Sequence, residues 1–164
     1  MQLREFTRRY IFLGIVAFIV LGVIVANVMA SKQDKQFSME DTLYKQATEL
    51  HSQGNNTEAA TYIKELLKLQ SESEAVNYLG AVIAASNNEM QQAATLLQKT
   101  LDINPYKVED PMFMLQFGET LYHIERYDDA KIVLTRCQEA GWAPESFPTY
   151  QERVAELLSL IENM

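Results

Sequence analysis

The stretch from Tyr10 to Ala26 is apolar throughout, and its character runs on to Ala30 with only Asn27 interrupting. The 21 residues 10–30 form a helix of roughly 31 Å at about 1.5 Å per residue, close to the thickness of a bilayer's hydrocarbon core. A core helix of this length needs a polar face, and this stretch has none. From residue 38 onward the apolar positions recur at helical spacing, and no segment alternates with the two-residue period of a strand. Caps and turns divide this part into helices. One runs from Ser38 to about Gln53, with Gly54-Asn55-Asn56 as a turn and Thr57 opening the next, which ends near Gln70. Ser71 with Glu74 reads as a capping box for a helix to about Ser86, after which Asn87-Asn88 turns. The following helix stops before Pro105. Asp110-Pro111 is an N-cap with proline at the first helical position, and its helix ends near Glu125. Another runs from about Asp128 to Glu139, Gly141-Trp142-Ala143-Pro144 breaks the pattern, and a last helix spans roughly Pro148–Glu162.

The helices pair, and the pairs repeat. The first helices read Leu43-x2-Gln46-Ala47-x2-Leu50, Val76-x2-Leu79-Gly80-x2-Ile83 and Met114-x2-Phe117-Gly118-x2-Leu121. Their partners read Ala59-x3-Ile63-x2-Leu66, Ala93-x3-Leu97-x2-Thr100 and Ala130-x3-Leu134-x2-Cys137, so that the small residues Ala59, Ala93 and Ala130 stand 34 and 37 residues apart. This resembles the tetratricopeptide repeat family, a 34-residue helix–turn–helix with a large-x2-Leu-Gly-x2-large, Ala-x3-large pattern. The chain departs from that pattern at Gln46, in the Asn87-Asn88-Glu89 turn, in the long Pro105–Asp110 connection, and in carrying the closing proline only at Pro105. The expected fold class is all-α: an N-terminal transmembrane helix followed by a tetratricopeptide-like α-solenoid. Residues 1–9 form a tail, 10–30 a signal anchor, 31–37 a linker, 38–145 three repeats (38–70, 71–105 and 110–142) and 146–164 a capping helix. In that last helix Val154, Leu157, Leu158 and Ile161 form one stripe, as a stack's terminal cap requires.

The resemblance implies a binding groove along the first helix of each pair. Carried over by position, it holds Asp41, Tyr44, Thr48 and His51 in repeat one, Glu74, Asn77, Ala81 and Ala84 in repeat two, and Met112, Leu115, Glu119 and Tyr122 in repeat three. None is basic. The cationic carboxylate clamp of the family's co-chaperones is therefore missing, and the expected occupant is an apolar or basic segment of a protein or peptide partner. Burial of Ala81, Ala84 and Leu115 against the next repeat is the competing reading of those positions.

Charge sharpens the picture. Residues 1–30 hold Arg4, Arg8 and Arg9 with one acid, Glu5, whereas residues 31–164 hold 11 basic and 21 acidic residues, a formal charge of −10. Such a surface repels phosphates, which argues against nucleic acid as a partner. The basic cluster before the span, set against Lys32 and Lys35 diluted by Asp34, places the N-terminus in the cytoplasm and residues 31–164 outside it, in the periplasm if the cell is bacterial. An uncleaved anchor is favoured over cleavage after Val28-Met29-Ala30, because the apolar run exceeds a signal peptide's usual core. Gly14, Gly22, Ala26 and Ala30 form a small-residue stripe of the kind that permits a homodimer through the anchor. Such residues are also ordinary in spans, and Phe18 interrupts the stripe.

Candidate chemistry is sparse. His51 and His123 fall on first helices of different repeats, which disfavours a shared metal site. Cys137, the only cysteine, occupies a position the family fills with a small buried residue. Asp128-Asp129 and Glu109-Asp110 fall at helix starts, where carboxylates oppose the helix dipole. No phosphate-binding glycine loop occurs. Trp142, Phe147 and Tyr150 read as a staple for the last helix. The sequence points to an interaction scaffold with no catalytic residues, no metal and no cofactor, with a periplasmic chaperone or assembly factor for exported proteins as the alternative.

Overall fold

A computed structural model describes residues 5–163. It contains seven α-helices: α1 (Glu5–Ser52), α2 (Asn56–Leu69), α3 (Glu74–Ser86), α4 (Met90–Ile103), α5 (Pro111–His123), α6 (Tyr127–Glu139) and α7 (Tyr150–Glu162), with a short 3-10 helix, Pro105–Glu109, between α4 and α5. No strand occurs among the described residues. The chain divides into two compact units, residues 1–42 and 43–164.

In the first unit the side chains described from Arg9 to Met39 are all exposed, the apolar ones included: Phe18 is 79% exposed and Val23 62%. α1 is the one helix among the described residues long and apolar enough to cross a membrane. Where a linker over 31–37 and a helix start at Ser38 are expected, the helix is continuous. Ser38 lies inside it, its carbonyl accepting from Thr42 Oγ1 at 2.8 Å, and Gln36 Nε2 donates to Glu40 Oε1 at 2.8 Å. The physical reason is that residues 31–37 contain neither Gly nor Pro, and extending a formed helix costs far less than starting one.

The second unit is the array. Ala47, Ala59, Ala93 and Ala130 are fully buried. Gly80 and Gly118 lie where a side chain would collide: a Cβ on Gly118 would stand 2.7 Å from Leu134 Cδ2, and one on Gly80 3.2 Å from Leu96 Cδ1. Three turns share one geometry. Gly54, Asn88 and Glu125 have φ of 78°, 63° and 62°. The N–H after each reaches back to Leu50 O, Ala84 O and Leu121 O at 2.9, 2.9 and 3.0 Å. This is the six-to-one bond of the Schellman motif. The sequence repeat is thus also a repeat of backbone turns.

Two local readings are corrected. The cap of α3 is Ser73, whose Oγ accepts from Val76 N, while the Ser71 carbonyl is taken by Asn77 Nδ2 at 2.8 Å. The last helix starts at Tyr150 instead of Pro148, because Phe147 N and Tyr150 N close turns onto Pro144 O and Phe147 O. The Asp110 cap forms as expected, accepting from Phe113 N at 3.1 Å ahead of Pro111. The core falls into two clusters. One gathers Ala47, Ala59, Ile63, Leu66, Val76 and Ile83. The other gathers Ala81 and Leu97 with α5, α6 and α7, including Phe113, Leu134 and Tyr150.

Candidate partner-binding recess

Small residues on α3 leave space between it and α5. Ala81 and Leu97, both buried, form the floor of a recess of about 210 Å³, with Val82, Ala85, Ser86 and Met90 on one side and Gln116, Glu119, Thr120 and His123 on the other. Its polar groups are largely committed. Gln116 Oε1 accepts from Tyr78 OH at 2.8 Å, and Thr120 Oγ1 donates to Gln116 O at 2.7 Å. Glu119 Oε1 accepts from Arg153 Nε of α7 at 2.6 Å, and Arg153 Nη1 donates to Glu156 Oε2 at 2.7 Å. These hydrogen bonds, the one to Glu119 foremost, hold the guanidinium pKa above its usual value. A larger depression of about 790 Å³ follows α4. Its lining cations are already paired, Lys99 with Glu72 at 2.9 Å and Arg126 with Asp129 at 2.6 Å.

A second polar cluster fixes repeat two against repeat three. Lys107 Nζ, on the 3-10 helix, meets Asp110 Oδ2 at 3.0 Å and Glu74 Oε1 at 3.3 Å and lies 5.2 Å from the Tyr78 ring centre. Asn104 Nδ2 donates to Glu74 Oε2 at 2.9 Å, which is the main cause holding that carboxyl below its ordinary pKa. Burial alone would lower the Lys107 pKa, but its hydrogen bonds to Asp110 and Glu74 raise it overall. Burial likewise pushes Asp110 up, and the Phe113 N–H and Lys107 outweigh it, leaving that carboxyl low.

Of the expected groove residues, only Ala81 and Glu119 line the recess. Asn77 is buried, its amide donating to Ser71 O and Ser73 O, and Leu115 and Ala84 are buried too. Met112 and Tyr122 pack against the larger cluster, and Tyr122 also meets Tyr127 with ring centres 5.7 Å apart. In repeat one Tyr44 packs on the smaller cluster, Thr48 is exposed with Oγ1 donating to Tyr44 O, and His51 Nδ1 meets Asn56 Oδ1 at 2.6 Å. Positional carry-over misses Val82, Ala85, Gln116 and His123. Stepping by helical turns from Glu119 reaches Gln116 and His123, three before and four after.

The remaining candidates are structural. Cys137 is buried, which raises its thiol pKa and leaves it a poor nucleophile. Tyr150 OH donates to Pro111 O at 2.9 Å, and its ring stands edge-on to Trp142 and Phe147. Gln151 Nε2 ties α7 to the end of α6 through Cys137 O and to the loop that follows it through Trp142 O. Among the described residues no three His, Cys, Asp or Glu side chains gather as a metal would require.

No family model and no curated protein matches the chain. Solved structures do. The type III secretion translocator chaperone SycD of Yersinia enterocolitica aligns with a TM-score of 0.62 at 17% identity, covering 75% of this chain and 83% of that one. The same chaperone in complex with a peptide of the translocator YopD aligns at 0.61 and 17%, covering 75% and 92%. The tetratricopeptide domain of Sgt2 from Aspergillus fumigatus aligns at 0.57 and 13%, covering 76% and 77%. At these identities the likeness concerns architecture: residues 43–164 adopt the helical-repeat fold of tetratricopeptide proteins.

Proposed function

We propose that the protein is a membrane-anchored adaptor that holds an apolar or basic segment of another protein on the first-helix side of its repeats, and that it catalyses no reaction. The observation that carries this reading is the pairing, in one chain, of an apolar helical run whose described side chains over residues 10–30 are exposed with a repeat array that has a recess between α3 and α5. A bilayer is the environment that satisfies the first, and a partner side chain is what the second can hold. Residues 10–30 would cross the membrane with the N-terminus in the cytoplasm, setting the array in an extracytoplasmic space. The reading extends to a setting in an envelope or secretion assembly. The small-residue stripe on α1 supports pairing of two anchors.

Site-specific photo-crosslinking in native membranes tests the binding face. A photoreactive residue at Gln116 should trap a partner that one at the exposed Lys68 of α2 does not, and Ala85→Glu should abolish the adduct. Equal trapping at both positions would move the interaction off the recess. Sidedness is read with a cysteine placed at Tyr106, which is 84% exposed. Labelling of intact cells by an impermeant maleimide supports an external array, and protection until lysis reverses the topology. A second reading, a chaperone for exported proteins, is favoured by the translocator chaperone solved with its client peptide. Many exchangeable adducts at Gln116, displaced by apolar peptides, would select it over an adaptor with one partner at fixed ratio.

A further inference from the structure

The recess contains a single carboxylate, and a residue from the last helix already holds it. Glu119 and Arg153 meet at 2.6 Å with side chains 29% and 33% exposed, so the pair is only partly screened by water. The other lining groups are neutral or apolar apart from His123 at the far end of α5. Because Gln116 Oε1 is occupied by the Tyr78 hydroxyl, the amide presents Nε2, a donor suited to a peptide carbonyl. The volume of about 210 Å³ lies below the roughly 300–1,000 Å³ of small-molecule sites. It suits a side chain of an extended segment better than a cofactor.

We propose that Arg153 sets the charge selectivity of the recess: by holding Glu119 it makes the site accept a neutral aliphatic side chain in preference to lysine or arginine. This rests on the recess being the partner-binding surface, and it narrows the occupant from apolar-or-basic to apolar. α7 is then more than a cap on the core, since it supplies the residue that keeps an otherwise basic-seeking site neutral. Arg153 also meets Glu156, but that carboxylate is 58% exposed and is solvated.

The test uses the full chain, labelled with nitrogen-15 in lipid nanodiscs, and three probes: the N-acetyl N-methylamides of leucine, lysine and glutamate. The leucine probe should move amide resonances of α3 and α5 around the recess saturably, and the lysine and glutamate probes should do so more weakly. Arg153→Gln should raise the affinity for the lysine probe relative to the leucine probe by about twofold to fivefold, the range of a partly exposed ion pair. Arg153→Lys should retain the original preference. Should Arg153→Gln fail to fold, Glu119→Gln serves instead and should produce no gain for lysine. A lysine probe that binds the unaltered recess as tightly as leucine, selectivity unchanged in Arg153→Gln, or a lysine gain in Glu119→Gln would each overturn the proposal while leaving the recess a binding surface. A leucine probe that moves nothing near the recess would overturn that reading as well.

Discussion

Among the described residues two apolar helical stretches, α3 and residues 10–30 of α1, lack a polar face, and one is buried while the other is exposed. α3 carries Val76, Gly80, Ala81, Ile83 and Ala84, all buried, because neighbouring helices cover it on both sides. The apolar run of α1 has no such cover: the side chains described between Tyr10 and Ala30 are exposed. Composition alone does not separate the two, because a helix apolar all round must be enclosed by either protein or lipid. Length separates them. α3 is 13 residues, too short to span a bilayer, and its glycine and alanines admit close neighbours. The run in α1 has bilayer length and larger side chains.

The comparison breaks most visibly if its first half is wrong. If residues 10–30 span a bilayer as proposed, Leu21→Arg places a charge mid-span, which costs about 2.5–3.5 kcal/mol on insertion, and removal of residues 10–30 eliminates the proposed span. Carbonate extraction should find the unaltered chain in the membrane pellet and the deletion variant in the supernatant; a pelleted deletion variant would mean that another element holds the membrane. On the buried side, Gly118→Val should be the most damaging small substitution, since a Cβ there would stand 2.7 Å from Leu134. Overpacking of this kind costs about 1–3 kcal/mol, visible as a lowered urea midpoint. Gly80→Ala, facing flexible leucine ends at 3.2 and 3.3 Å, should cost less, aided by alanine's better helix propensity.

A smaller effect of opposite sign is expected at Glu125, whose φ is 62°. A non-glycine residue there is strained by about 1–2 kcal/mol, so Glu125→Gly should raise the unfolding free energy by up to about 1 kcal/mol after the entropy cost of glycine, read as a higher urea midpoint. The smallest concerns the Glu74–Lys107–Asp110 cluster. Both carboxyl pKa values are depressed in the folded state, so their contribution is present above the ordinary carboxylate range and lost as pH falls through the folded values. Lys107 is raised, so its contribution is lost only as pH rises through its folded value, on the far alkaline side. Thermal melts should be flat near neutrality and fall on acidification, with a shallower fall in Lys107→Met.

The repeats were legible because their chemistry is local. Small residues recurring after 34 and 37 residues, and turn signals at Gly54 and Asn88, report helix pairs directly. Glu125 carries no such signal, and only its equivalence to Gly54 and Asn88 in space reveals a left-handed turn. The cap at Ser73 was hidden because Ser71 offers the same side chain two residues earlier, and the choice falls to Asn77, which claims the Ser71 carbonyl. The recess was half legible. Glu119 and Ala81 follow from position, but neighbouring helices decide that Asn77 and Leu115 are buried while Gln116 and His123 are presented. The Arg153 contact joins residues 34 apart, beyond the reach of any local pattern.

The division of the core at α3 has a consequence for how the array comes apart. Val76 and Ile83 belong to one cluster and Ala81 to the other, so among the described residues α3 is the sole helix with buried residues in both. Linear arrays of this kind open by neighbouring units instead of all at once. Hydrogen exchange should therefore resolve two openings, with amides of α2 released at lower free energy than those of α5 and α6. The first repeat is then expected to loosen while α5 and α6 stay folded.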